Sequence, residues 1–125
     1  MKYVVILALS LIWSAPSFAQ HSHSSEGQNG GQMKDVAGVE AELLTSGNTI
    51  TINIFDHGNR KPISTKGFSG AVLVAGSGGR ETVTLEPSGE NALKGASKSK
   101  ISADSAITLT IKTAEGKSGQ AKFKK

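Results

Sequence analysis

The chain has 125 residues with 14 Lys and Arg against 10 Asp and Glu, giving a formal net charge of +4; one domain with a mild basic excess is the expectation. It has no cysteine, which excludes thiolate metal sites, redox dithiols, cysteine nucleophiles and disulfide staples. Acids are interspersed with the bases, and no dense basic patch with stacking aromatics is visible, so nucleic acid is not an expected partner.

The N-terminus has the layout of a secretory signal. Lys2 supplies a positive start, and Val4 to Trp13 is an apolar run interrupted only by Ser10. Ser17-Phe18-Ala19 then places small residues where a signal peptidase needs them. The apolar run is about ten residues, well short of the roughly 20 that span a bilayer as a helix. The expectation is a cleaved signal over 1–19, a mature chain starting at Gln20, a periplasmic location and no stable membrane insertion. Trp13 and Tyr3 leave with the signal, so Phe55, Phe68 and Phe123 are the remaining large aromatics.

Residues 20–36 are rich in Ser, Gly, Gln and His and nearly free of apolar side chains. Such a segment buries too little surface to offset its ordering entropy, which predicts a mobile arm. From Ala37 onward the pattern has period two, so the folded domain is expected over 37–125. Apolar and acidic residues alternate in Val39 to Leu43. Ser46-Gly47-Asn48 offers turn chemistry, and Thr49 to Ile54 alternates with the isoleucines on one face. These two runs predict an antiparallel hairpin with one buried face.

Asp56-His57-Gly58-Asn59 reads as a second turn, and Pro62 favours a sheet edge or a strand start. Ala71 to Ala75 is a short apolar run that Ser77-Gly78-Gly79 turns into the alternating Glu81 to Leu85. Asn91 to Ala96 is a short strand with Leu93 inward, Ala106 to Ile111 alternates cleanly, and Glu115-Gly116 leads into Gln120 to Lys124. In that last strand Ala121 and Phe123 share one face and lysines the other. Several short strands with turns every eight to twelve residues, and no helical period, predict an all-β fold. A small immunoglobulin-like antiparallel β-sandwich of about seven strands is preferred, with a small β-barrel as the alternative. The expected core is Val39, Leu43, Ile50, Ile52, Ile54, Val72, Val74, Val83, Leu85, Ile107, Leu109, Ile111 and Phe123.

Catalytic signals are weak, and the expectation is a protein that is not an enzyme. A hydrolytic triad needs a nucleophile, a base and an orienting acid, but the domain holds a single histidine, His57, and no Gly-x-Ser-x-Gly elbow. Glu40 and Glu42 share one strand face, expected to be the solvated one, rather than converging in a cleft. No organic cofactor is expected, since Ser77-Gly78-Gly79 precedes no helix that could cradle phosphates.

Metal binding is the sharper possibility. His21 and His23 lie two apart in the arm, with Glu26 and Met33 following. Imidazoles suit copper, zinc and nickel, whereas a thioether suits Cu(I). With Gln20 first, His21 is the second residue, and its ring and the free amine can share a chelate. With cleavage one residue later, His23 becomes the third residue, a spacing suited to square-planar Cu(II) or Ni(II). Cyclisation of Gln20 would block the amine. Asp56 and His57 could offer a secondary pair of ligands at a strand end, an incomplete set beside the four of a structural zinc site.

The stretches "NGGQMKDVAGVEAELL", "ITINIFDHGNRKPISTKGFSGAVLV" and "LEPSGENALKG", with the closing "GQAKF", resemble a group of small exported proteins of Gram-negative bacteria. Similar segments occur in the periplasmic part of adaptor subunits of heavy-metal efflux systems. The resemblance runs over roughly residues 27–124 and implies a periplasmic β-sandwich tied to heavy-metal handling. Asn29, Gly30, Gly31, Glu42, Leu43, Asp56, His57 and Pro62 match the pattern. Glu40 departs from it, because a histidine is expected two residues before the Glu of the Glu-Leu pair. If that histidine is a ligand in the relatives, the carboxylate here weakens a site for a soft metal.

The resulting expectation is an accessory protein binding or buffering Cu, Zn or Ni, with metal-efflux components or other envelope proteins as partners. The alternative is a metal-independent interaction module that adds a partner strand to an exposed sheet edge.

Overall fold

A computed structural model of the chain describes residues 27–76 and 79–124. They form eight strands: β1 (Gln32–Val36), β2 (Val39–Ser46), β3 (Thr49–Asp56), β4 (Ser69–Gly76), β5 (Gly79–Ser88), β6 (Ala92–Ala96), β7 (Ala106–Lys112) and β8 (Ser118–Lys124). The fold is all-β, as the alternation implies. All eight strands join one antiparallel sheet in the order β1-β2-β3-β6-β5-β4-β7-β8. The sheet curls until its two end strands meet, so the architecture is the barrel alternative, with one strand more than expected.

Strand β5 turns the corner. Its first part, Gly79 to Leu85, pairs with β4, and Glu86 to Ser88 pair with β6. One strand thereby serves both halves of the sheet, and no second sheet is needed. The interior is lined by the inward residues of every strand, and all thirteen expected core residues are buried. Ile50, Ile52, Ile54, Leu93, Ile107 and Leu109 lose all contact with solvent. Each such side chain contributes about 1.5–3 kcal/mol of transfer free energy.

Strands β1 and β8 close the sheet without a backbone ladder. The Gln32 side chain takes a neighbouring strand's role instead: its Nε2 donates to the Lys124 carbonyl, and Lys124 N donates to Oε1 at 3.3 Å. At the other end of the seam Gly119 lies so close to the β1–β2 turn that a Cβ there would come within 2.8 Å of Ala37 N. The two edges of the sheet therefore lie against each other.

The ordered fold begins ahead of Ala37. Residues Gly27 to Gly31 form a turn, with Gly30 N donating to Gly27 O at 3.0 Å, and β1 follows directly. Strand β1 shows no clean alternation, and its connection to β2 is Ala37-Gly38. Both turn residues have positive φ, 53° and 82°, the geometry of a type I′ hairpin. Glycine adopts that conformation freely; alanine does so at a cost of about 1 kcal/mol, so the turn lacks its usual Asn-Gly or Asp-Gly signature.

Candidate metal centre

Strand β2 presents Glu40, Glu42 and Leu44 on its outer face, because Val39, Ala41 and Leu43 point inward. That face is not solvated, contrary to the expectation from alternation alone. Glu42 is fully buried, since the Gly27–Gly31 turn folds over it. Its Oε2 accepts from Asn29 N at 2.8 Å and Gly31 N at 3.0 Å, and its Oε1 from Asn29 Nδ2 at 2.8 Å. Asn53 Nδ2 adds a longer contact at 3.4 Å. An ionised carboxylate only accepts, and here every neighbour donates. A Cβ at Gly27 would run into the Glu42 carboxylate, and one at Gly31 into Leu43 O and the Glu42 side chain. The Asn-Gly-Gly motif thus has a packing reason. Asn29 donates to the carboxylate, Gly30 takes a positive φ of 80°, and Gly31 leaves room for Glu42 and Leu43 O.

Glu40, two residues earlier, has different surroundings. The β1–β2 register sets it directly opposite Asp35. Like charges in that position repel. The β2–β3 register pairs Val39 with Asp56, so His57 leaves β3 level with the same hairpin end. His57 Nδ1 lies 3.1 Å from Asp35 Oδ1 and 3.9 Å from Glu40 Oε1. The ligand atoms of Asp35, Glu40 and His57 all fall within 4.8 Å of one another. Asp35 and His57 are about two-thirds exposed, at 66% and 65%, while Glu40 is 13% exposed.

Arg60 completes the neighbourhood. Its Nε lies 3.5 Å from Glu40 Oε2, yet that oxygen is buried and receives no hydrogen bond from the described residues. The loop bearing Arg60 is tightly tied. Asp56 Oδ1 accepts from Gly58 N at 2.8 Å and Asn59 N at 3.1 Å, Arg60 N donates to Asp56 O, and Gln28 Nε2 donates to Arg60 O. The bonds from Asn59 and Gly58, and to a lesser degree the nearby His57 ring, hold the Asp56 carboxyl below the usual carboxylate range.

Of the residues expected to bind metal, His57 stands in the cluster. Asp56 lies outside it, its carboxylate spent on the loop backbone, and His21 and His23 fall outside the described residues. Asp35 and Glu40 are the ligand candidates that sequence reasoning missed. Asp35 sits in the stretch read as arm, and Glu40 was read as a solvated face residue. The symmetric Val36-Ala37-Gly38-Val39 was the available sign of a hairpin that places the two acids opposite each other.

No protein-family model matches the chain, and neither a curated protein nor a solved structure shows significant similarity to it.

Proposed function

We propose that this is a non-enzymatic metal-binding protein of the periplasm, holding a divalent transition ion on Asp35, Glu40 and His57. The observation that carries the reading is the spacing of the three ligand atoms. A tetrahedral ion with bonds of about 2.0–2.1 Å sets its ligands roughly 3.3 Å apart. The 3.1 Å and 3.9 Å separations around His57 bracket that value before any ion draws the groups together. Two carboxylates facing each other across a hairpin also call for a cation between them.

The donor set is two oxygens and one nitrogen. It suits Zn(II), Ni(II) or Cu(II) and disfavours Cu(I), which prefers sulfur. With His57 and Asp35 mostly exposed, the ion keeps open positions for water or further ligands. His21 and His23 supply imidazoles from the N-terminal side and are part of the proposal as a second capture point. Metal buffering within heavy-metal handling fits these donors and the resemblance to efflux-adaptor segments. The edge-strand interaction module is the weaker reading, because β1 and β8 cover each other's edges.

The test is calorimetric titration of Zn(II), Ni(II) and Cu(II) into protein beginning at Gln20, beside His57→Ala, Glu40→Ala and the His21→Ala/His23→Ala double variant. Zinc binding that weakens at least about tenfold in His57→Ala and in Glu40→Ala supports the site. Affinity no tighter than about millimolar, or unchanged in both variants, overturns it.

A further inference from the structure

The geometry around Glu40 points to an exchange of cations. We infer that Arg60 is an internal stand-in for the metal, neutralising Glu40 while the site is empty and swinging out to solvent when an ion binds. The inference rests on the proposed metal site and adds how that site is regulated.

Three observations carry it. Glu40 Oε2 is buried and accepts no hydrogen bond among the described residues, although Arg60 Nε is only 3.5 Å away. The guanidinium therefore supplies charge at close range without the paired bonds of a permanent Arg–carboxylate bridge. Second, the Arg60 backbone is held while its side chain is free to leave. Arg60 has φ of 57°, its N–H and carbonyl are both bonded, and its side chain is 42% exposed. Third, an ion shared by Asp35, Glu40 and His57 would lie within a few ångströms of the guanidinium. A divalent ion and a guanidinium at that distance repel, and more strongly beside a partly buried carboxylate than in bulk water. Seating the ion on Glu40 works against the Arg60 contact, so Arg60 lowers the site's affinity and favours a site that loads only when free metal rises.

The test compares zinc affinities by competition with a chromophoric indicator. Arg60→Asn removes the charge and suits the left-handed backbone at this position, because asparagine tolerates positive φ. Arg60→Gln is a second uncharged variant, and Arg60→Lys keeps a cation. Both uncharged variants should bind zinc about tenfold more tightly than the parent chain, and Arg60→Lys should stay within about threefold. In the parent chain the Arg60 Nε–H resonance should move toward its solvent-exposed position as zinc is added. Equal or weaker zinc binding in both uncharged variants, while His57→Ala still abolishes binding, overturns the exchange and leaves the metal site standing. Absence of zinc binding in the parent and the uncharged variants alike overturns both.

Discussion

Glu40 and Glu42 sit two residues apart on the same face of the same strand, yet they do opposite things. Glu42 is sealed beneath a turn and accepts hydrogen bonds from three donors within 3.0 Å. Glu40 has a buried oxygen that no described residue donates to, an acid opposite it and two cationic or ionisable neighbours at 3.5–3.9 Å. A carboxylate with all its acceptor capacity used is a structural pin. A carboxylate left partly unused, among other ligand groups, is poised to take something. Hydrogen-bond satisfaction separates the two more sharply than burial does.

That contrast can be broken most forcefully at Glu42. Glu42→Ala strands the buried Gly31 amide and the part-buried Asn29 amides and should cost about 3 kcal/mol, lowering Tm by roughly 15 °C in a thermal melt. A loss below about 0.5 kcal/mol would mean that the turn does not depend on the carboxylate. Gly31→Ala attacks the same unit from the other side, since its Cβ meets Leu43 O and the Glu42 side chain. It should cost about 2 kcal/mol by chemical denaturation, with zinc affinity nearly unchanged.

Glu40→Ala should behave in the opposite way. Without metal its stability should stay within about 1 kcal/mol of the parent, because relief of repulsion with Asp35 offsets the lost Arg60 contact. Zinc should then no longer raise Tm, whereas it does in the parent chain. A Glu40→Ala variant destabilised as much as Glu42→Ala would erase the distinction.

The smallest effect concerns the loop that carries His57 and Arg60. Asp56 titrates lower in the folded protein than in the unfolded chain, so its contribution to loop order is present above the ordinary carboxylate range. It is lost as pH falls through the depressed value. Amide protection at Gly58 and Asn59, corrected for the intrinsic exchange rate, should fall only under acid conditions. In Asp56→Asn, which can still accept from both amides, it should depend less on pH.

Much of the barrel was legible because its inner faces obey a strict alternation. The isoleucines of β3 and the Ile-Leu-Ile series of β7 place themselves. The missing strand, β1, was hidden for physical reasons. Met33-Lys34-Asp35 carries no periodicity, and the hairpin turns on an alanine held at positive φ. What orders this segment is its ladder with β2, and Glu42 pins the turn that leads into it. Of the candidate metal cluster, one residue in three was legible, for the same reason. His57 was visible as a lone imidazole, but its partners depend on the registers of β1 with β2 and β2 with β3. Asp56, adjacent in sequence, looked like the natural partner. Its backbone bonds to Gly58 and Asn59 show why adjacency misled.

The Gln32 clasp bears on how the molecule is made. It joins positions 92 residues apart, through one side chain instead of a ladder. The barrel stays an open sheet until β8 docks, since β8 supplies both the other edge and the Phe123 that helps fill the interior. A chain cut short by even that one strand leaves β1 and β7 as bare edges beside an exposed apolar core. Such a fragment is a template for strand-to-strand aggregation. Docking of β8 and closure of the fold are thus a single event.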